Sequence, residues 1–233
     1  MPNVDSCLLR QSDYISHNPA NICCVEGNTT MVMENKLGIT DALELTKEEE
    51  RITKKKAIDL YTNSKLLKKR APGSFAALKE IHRYMFDEIY PFAGQLRTVN
   101  VVKGSVHFVD VSKLEQALDM IDEMPTDSFD EIVDKYIAMF LAHPFRDGNG
   151  RASRIWLDQL VRTELRRTVA WSLIDREDYV LAMDKSPVSS KTIRQLLRNA
   201  LTRDVKDQQL LMNGIDYSFN YEGYHFYRCS ELK

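Results

Sequence analysis

The chain has 233 residues, of which 43% are hydrophobic, and none of its apolar runs approaches 18 residues. This length supports one soluble domain with a substantial core, and the short apolar runs exclude a membrane-spanning helix. The formal net charge of −2 provides no basic field for nucleic acid, which disfavours DNA binding. No signal-peptide pattern is present and the cysteines lack metal-binding spacing, so we expect a cytoplasmic protein with reduced thiols at Cys7, Cys23, Cys24 and Cys229.

The N-terminal part of the chain differs from the rest. Residues 1–32 are rich in Asn, Ser and Cys and have poor helical periodicity. We predict that they form a weakly ordered extension, with a translation start at Met31 or Met33 as the alternative, and that residues 33–233 form one domain. Apolar spacing predicts helices over residues 40–65, 74–90, 112–123, 175–184, 189–203 and 204–213. A segment of about residues 214–227 closes that domain.

Residues 97–109 have a different composition from the helical segments around them. They are rich in β-branched residues and carry Gly104 near the middle. This pattern predicts a short β-hairpin in an otherwise helical chain. A surface hairpin without a functional role is the alternative.

Two further helices are predicted on either side of a short loop. Apolar residues recur at spacings of three and four from Phe129 to Leu141, which indicates a helix that ends near His143, and Pro144 marks the break. The periodicity resumes at Ile155, so a second helix should begin at residues 148–150. The intervening loop carries most of the polar residues that could support chemistry.

The start of the second helix is a predicted anion site. The first amides of a helix have no intrahelical partners, and the helix dipole places about half a positive charge there. Gly148 and Gly150 carry no Cβ, so a phosphate can approach the main chain closely. Asn149 can add a side-chain hydrogen bond, and Arg151 and Arg154 share one helical face and can bind the distal phosphates.

Two residues beside this site could act on a bound polyphosphate. Asp147 precedes the free amides and can hold Mg²⁺ together with phosphate oxygens. His143 titrates near neutrality in its unperturbed state and is the candidate general base for an attacking hydroxyl. Each residue alone has an ordinary explanation, as a helix cap, a turn or a solvated face. Their conjunction within twelve positions favours a functional site.

The string from His143 to Arg154 resembles the signature of Fic-domain proteins, HxFx(D/E)GNGRxxR, and matches it at every specified position. The resemblance implies an all-α fold, a compact helical domain with one short β-hairpin flap. It also implies Mg²⁺-dependent transfer of AMP from ATP to a hydroxyl of a target protein. In that family His143 would be the base, Phe145 a core anchor and Asp147 the metal ligand. The implied phosphate-binding residues are Gly148, Asn149, Gly150, Arg151 and Arg154.

The resemblance also assigns roles to two other features. Related Doc-type kinases carry lysine where this chain has Gly150 and pass on a phosphate, so Gly150 favours nucleotidyl transfer. Residues 97–109 resemble the Fic flap, which docks the target by pairing with its backbone. Lys103 and Gly104 at the tip of this flap are the implied target-binding residues.

Many Fic enzymes are inhibited by the glutamate of a motif (S/T)xxxE(G/N), whose carboxylate pairs with the second signature arginine, here Arg154. The motif occurs at Ser218 to Gly223, with Glu222 as the glutamate, in a position that resembles the small bacterial class with a C-terminal inhibitor. The same motif also occurs at Thr30 to Asn35, with Glu34 as the glutamate. We prefer Glu222 because the aromatic residues around it can dock its segment. Tyr224 resembles the tyrosine that such members modify on themselves, and a core tyrosine is the alternative.

The sequence therefore predicts an autoinhibited protein adenylyltransferase that uses ATP, Mg²⁺ and a target protein. One alternative is the reverse enzyme, which removes AMP from a modified protein and uses Glu222 to position water. Another is a non-catalytic ATP-sensing module, which the presence of both His143 and Asp147 argues against. The identity of the target, the preferred metal and the formation of homo-oligomers stay open.

Overall fold

The computed structural model describes residues 22–23, 31–63, 70–103 and 106–232. The predicted all-α class is confirmed. The described part of the chain contains eight α-helices, which are α1 Ala42–Thr62, α2 Phe75–Phe86, α3 Leu114–Asp122, α4 Phe129–Ala142, α5 Asn149–Leu165, α6 Arg176–Lys185, α7 Lys191–Asn199 and α8 Gln208–Asn220.

The predicted hairpin is confirmed within residues 97–109, which we call the flap. Its strands, β3 (Val102–Lys103) and β4 (Val106–His107), pair antiparallel with Val102 opposite His107. Two further antiparallel pairs in the described residues were not predicted, because two-residue strands are too short to show alternation. In one pair β1 (Ile22–Cys23) lies beside β2 (Met31–Val32), and in the other β5 (Thr168–Val169) lies beside β6 (Leu201–Thr202).

Local sequence explains where the site helices start. Ser74 caps α2 by accepting a hydrogen bond from the amide of Ala77. Ser128 and Glu131 form a reciprocal capping box at the start of α4. Helix α5 begins differently, because its N-cap is Gly148 and no side chain caps its first amides. Within the described residues, those amides therefore lack both intrahelical and capping partners.

Helix α5 lies at the centre of the fold. It packs against α4 on one side and α2 on another, and twelve of its 17 residues are buried. Trp156 is fully buried, and its indole donates a hydrogen bond to the carbonyl of Ser74 at 2.9 Å. The charged first turn of α5 is thereby fixed to the core of the domain.

The C-terminal region differs from the predicted boundaries. Helix α7 ends at Asn199, where β6 follows, and α8 runs on through the predicted boundary at residue 214. Ser218 therefore lies in the last turns of α8, and Glu222 lies just after its end. Most of the predicted extension over residues 1–32 lies outside the described residues, whereas the alternative start positions Met31 and Met33 lie within them. In the described part of the chain, every helix is too short or too polar to cross a bilayer.

Candidate active site

His143 terminates α4. Its amide donates to the carbonyl of Met139 at 3.1 Å, and its backbone adopts the left-handed conformation with φ of +45°. Pro144 follows and cannot continue the helix. The chain therefore turns sharply at His143 and enters the loop that leads to α5.

The ring of His143 packs against the flap. It stacks on Phe108, with ring centroids 3.9 Å apart, and its Nδ1 atom is enclosed without a hydrogen-bond partner among the described residues. Burial lowers the pKa of His143 to about 3, and the nearby positive charges of Lys103 and Arg97 act in the same direction. The imidazole is therefore neutral at physiological pH and can accept a proton.

This lowered pKa predicts a pH dependence of stability. Because the folded pKa lies below the unfolded value of about 6.5, the stabilising contribution is present above that pH and is lost as the pH falls toward 3. Between pH 7 and pH 5 we expect the free energy of unfolding to fall by about 2 kcal/mol more in the wild type than in His143→Gln. Urea denaturation at both pH values measures this difference, with the exposed His107→Gln as a control for the loss of one imidazole. An equal decline in wild type and His143→Gln would contradict the prediction.

The loop between the two helices is held by its own side chains. The Asn149 side chain donates to the carbonyl of Phe145 at 2.8 Å and accepts from the amide of Phe145 at 2.9 Å. Phe145 is fully buried, as expected for a core anchor, and stacks on His82 at 3.8 Å. The side chain of Asn149 thus braces the loop.

His82 of α2 supports the same loop and was not predicted. Its Nδ1 accepts a hydrogen bond from the amide of Gly94 at 2.9 Å, so the proton resides on Nε2, which lies 2.8 Å from the carbonyl of Asp147. Burial lowers the pKa of His82 to about 3, which keeps this donor and acceptor pattern. His82 therefore fixes the backbone between Asp147 and Gly148.

Position 148 requires glycine for two reasons, its backbone conformation and the lack of room for a side chain. Its φ is +75°, and a Cβ there would lie 2.5 Å from the ring of Phe86. We expect Gly148→Ala to lower the free energy of unfolding by about 2–4 kcal/mol, the sum of backbone strain and overpacking. Gly38→Ala is the matched control, because Gly38 has φ of +69° and open space around it. Urea denaturation that gives equal losses for both variants would show that the contact with Phe86 is unimportant.

Arg151 is fully buried and lies among three carboxylates. Its Nη1 contacts Glu49 of α1, its Nε donates to Glu222 at 2.9 Å, and its Nη2 lies 3.4 Å from Asp147. Its guanidinium also covers the ring of Tyr224 at 4.4 Å. Glu49 is fully buried as well, and accepts hydrogen bonds from the hydroxyls of Tyr90 and Tyr224. Glu49 thus holds the Nη1 side of the Arg151 guanidinium in place.

Arg154 contacts the C-terminal segment. Its Nε donates to the hydroxyl of Ser218 at 2.7 Å, and its Nη2 donates to the carbonyl of Ser218 and to Glu222, each at 2.6 Å. The carboxylate of Glu222 therefore bridges the two signature arginines. A Cβ on Gly150 would lie only 2.0 Å from Glu222 Oε1, which places this carboxylate directly against the first turn of α5. Glu222 thus occupies the position at which the sequence predicts a phosphate.

The charge state of Glu222 follows from its surroundings. Burial raises its pKa, but the positive charges of Arg154 and Arg151 outweigh burial and leave the pKa below the usual value. Glu222 is therefore ionised at neutral pH. Glu34, the alternative inhibitor, is exposed and does not belong to the described contacts of Arg154.

Helix α1 holds the segment that follows Glu222. The buried carboxylate of Glu50 accepts hydrogen bonds from the amides of Phe226 at 2.9 Å and Tyr227 at 3.2 Å. Lys54, also buried, pairs with Glu50 at 3.0 Å and with Asp216 of α8 at 2.9 Å. Tyr224 is fully buried, in agreement with the core alternative for that residue. Together these contacts dock the segment firmly on the domain.

Asp147 lies beside Arg151, with 16% of its side chain exposed. Burial raises its pKa to about 7, and Arg151 opposes this shift. The described residues contain no group of three or more His, Cys, Asp or Glu side chains arranged to hold a metal ion. A single carboxylate beside a phosphate site nevertheless fits Mg²⁺, which commonly binds through one or two protein carboxylates and substrate phosphates.

The flap lies beside His143. Lys103 is exposed on β3, whereas Gly104 lies outside the described residues. Val99 and Val102 are exposed hydrophobic residues of the same element. An edge of this kind can pair with an extended peptide.

Three residues of the site were missed at the sequence level, and they are Glu49, His82 and Arg97. Glu49 lies within an acidic run that is typical of a solvated helix face. His82 offered a weak signal, because it lies on the apolar face of α2 next to Leu78 and Phe86 in helical spacing. Arg97 lies at the start of the predicted flap, and local sequence gives no sign of its buried contacts.

A family model described as Fic/DOC matches residues 72–161. The probable protein adenylyltransferase Fic of Salmonella typhimurium is 32% identical over 140 residues, which cover 55% of this chain and 67% of that protein. The chain belongs to the Fic/DOC family. The protein adenylyltransferase VbhT of Bartonella schoenbuchensis is 28% identical over 187 residues, 74% of this chain. The match spans 38% of the length of VbhT.

Solved structures of Fic domains share the fold. The BepC protein of Bartonella tribocorum, solved with bound AMPPNP, aligns with a TM-score of 0.63 at 20% identity and covers 80% of this chain and 98% of that chain. The N-terminal Fic domain of a Bartonella quintana effector, solved with bound ADP, aligns with a TM-score of 0.62 at 21% identity and covers 83% and 100%, respectively. These likenesses confirm the Fic fold of the chain.

Proposed function

We propose that this protein is an adenylyltransferase that moves AMP from ATP to a hydroxyl side chain of a target protein. The observation that supports the proposal is the short loop that joins a neutral histidine to an uncapped helix start, with two buried arginines in the first turns of that helix. The names of the relatives support the same activity, and Gly150 favours nucleotidyl over phosphoryl transfer. A cytoplasmic location, where ATP is plentiful, accords with this function.

In the proposed reaction the target hydroxyl attacks the α-phosphorus of ATP. Its proton passes to the unprotonated ring nitrogen of His143, a new bond forms between the hydroxyl oxygen and phosphorus, and the bond to the β-phosphate oxygen breaks. The free amides at the start of α5 stabilise the negative charge that develops on the phosphate oxygens. Arg151 and Arg154 bind the pyrophosphate that leaves.

Asp147 is the residue that would hold Mg²⁺ in this reaction. The ion would supply charge neutralisation for the phosphates of ATP. Asp147 also contacts Arg151 at 3.4 Å, so the same carboxylate keeps the guanidinium near the phosphates.

We further propose that Glu222 inhibits the enzyme. Its carboxylate bridges Arg151 and Arg154, and an arriving phosphate would meet like charge there and find both cations occupied. Nucleotide binding with correctly placed phosphates therefore requires the carboxylate to leave. Ser218 assists the inhibited state by accepting from Arg154.

The flap is the proposed docking site of the target. An extended segment of the target would pair with β3, which carries Lys103, and would present its hydroxyl to His143. Tyr224 could serve as an acceptor of AMP only after its segment leaves the domain, because its hydroxyl is buried against Glu49.

The proposal is tested with Glu222→Gly protein, ATP labelled on the α-phosphate and a bacterial lysate. We expect labelled protein bands, with a mass increase that corresponds to AMP on a hydroxyl side chain. Protein that binds ATP but labels neither a lysate protein nor itself would contradict the proposed transferase and favour a nucleotide-sensing module.

A further inference from the structure

Arg97 makes an unusual set of contacts for an arginine. Only 4% of its surface is exposed, and its guanidinium donates to four backbone carbonyls. Nε donates to the carbonyl of His143 at 2.8 Å and Nη1 to that of Val99 at 2.7 Å. Nη2 contacts the carbonyl of Val109 and lies 3.3 Å from that of Ala142.

These acceptors belong to two different parts of the site. Val99 and Val109 lie in the two arms of the flap, before β3 and after β4. Ala142 and His143 form the end of α4, where carbonyl groups lack intrahelical partners and attract positive charge. One planar side chain therefore joins both arms of the flap to the residue that carries the proposed base.

Backbone hydrogen bonds strengthen the same junction. The amide of Arg97 donates to the carbonyl of Pro144 at 2.8 Å, and the amide of Val109 donates to that of Leu141 at 2.9 Å. The ring of His143 stacks on Phe108, which lies in the second arm. The position of the ring and the position of the flap edge thus depend on a shared set of contacts.

We propose that Arg97 is a positioning residue that sets the distance between the target-docking edge of the flap and the imidazole of His143. This inference rests on the proposed transferase function and adds a determinant of alignment to it. Arg97 makes no described contact with Arg151, Arg154 or Glu222, so it should not affect how ATP is held. Its loss should misalign the hydroxyl with the base, and a displacement of about 1 Å can cost on the order of 100-fold in rate.

Lys135 offers a matched control. It is also 4% exposed, and its ammonium donates to the carbonyls of Asp122 and Met124 at the end of α3, each at 3.2 Å. Lys135→Met therefore removes a buried cation from the C-terminal end of a helix without touching the site. Arg97→Met removes the corresponding cation at the end of α4, and Arg97→Lys keeps the charge but provides fewer directed donors.

The experiment compares Arg97→Met, Arg97→Lys and Lys135→Met, each in the Glu222→Gly background, with a protein substrate and ATP. For Arg97→Met we expect kcat to fall by about 100-fold while the KM for ATP changes by less than about 3-fold. Arg97→Lys should recover part of that loss, and Lys135→Met should leave kcat within about 3-fold of the parent. Equal falls in kcat for Arg97→Met and Lys135→Met, or a raised KM for ATP with unchanged kcat, would overturn the proposal.

Histidine NMR provides a readout that does not require activity. The ring signal of His143 is assigned by its absence in His143→Gln, and we expect it to shift in Arg97→Met and Arg97→Lys but not in Lys135→Met. An unshifted signal would overturn the link between Arg97 and the ring. If the Glu222→Gly parent transfers no AMP, the proposed function fails, whereas the spectrum still decides whether Arg97 positions His143. If Arg97→Met does not fold, the kinetics and the NMR spectrum of Arg97→Lys decide whether Arg97 positions His143.

Discussion

Replacing Glu222 with glycine is expected to raise the rate of AMP transfer by on the order of 10- to 100-fold, the range that corresponds to coupling free energies of about 1–3 kcal/mol. The carboxylate of Glu222 holds Arg151 at 2.9 Å and Arg154 at 2.6 Å, against the first turn of α5. Its removal frees the donors that face the incoming phosphates. Initial rates of label incorporation from ATP labelled on the α-phosphate measure the change.

The fold should survive this substitution. Arg151 keeps its contact with Glu49, and Arg154 keeps two hydrogen bonds to Ser218, so neither buried cation loses all its partners. Circular dichroism should therefore show the same helical content in Glu222→Gly as in the wild type. An unchanged helical content would show that a gain of activity in Glu222→Gly comes from the loss of the carboxylate and not from partial unfolding of the domain.

Glu34→Gly is the natural control for this experiment. Glu34 lies in the second copy of the inhibitory motif but is exposed. We expect Glu34→Gly to transfer AMP at the wild-type rate. A gain with Glu34→Gly and none with Glu222→Gly would mean that the wrong glutamate is assigned as the inhibitor.

The second large effect is expected for His143→Ala in the Glu222→Gly background, which should reduce transfer by on the order of 10²- to 10⁴-fold, the usual contribution of a general base. The affinity for ATP should change little, because the phosphate cradle formed by the start of α5, Arg151 and Arg154 does not include the imidazole. Initial rates measure the loss of AMP transfer, and isothermal titration calorimetry measures the affinity for ATP.

His225→Ala in the same background is the control for the loss of an imidazole. His225 is exposed beyond the end of α8, and its described contacts are with Gly223 and Phe226. This variant should transfer AMP as fast as its parent. Activity that persists in the His143→Ala protein at more than about a tenth of the parental rate would rule out a general base at that position.

The sequence was sufficient to predict the loop and both helices that carry the site. The apolar spacing on each side of residues 143–150, the break at Pro144 and the adjacent glycines are local signals, and they correspond to the end of α4 and the start of α5. The signature string supplied the family. These features depend on residues that are close in sequence, where pattern and propensity carry information.

The contacts that organise the site depend on residues far apart in sequence. Glu49 and Arg151 are separated by 102 positions, and periodicity reveals which face a residue lies on but not which partner it meets. The acidic run that contains Glu49 resembles a solvated surface, yet tertiary packing buries its carboxylate at 0% exposure. Arg97 was missed for the same reason, since its four carbonyl acceptors come from the flap and from α4.

Asn149 shows a different limit. Its place in the signature implies a role in phosphate binding, and the structure adds that its side-chain amide makes two hydrogen bonds with Phe145. The residue type and spacing were informative, whereas the direction of the side chain required the three-dimensional structure.

The central claim is that His143 and the phosphate cradle act on the α-phosphorus of ATP. Parallel reactions of the Glu222→Gly protein with ATP labelled on either the α- or the γ-phosphate test it most directly. The account predicts protein-bound label from the α-phosphate only, and loss of that label when His143 is also replaced with alanine. Label transferred from the γ-phosphate, or α-label that persists without His143, would contradict it.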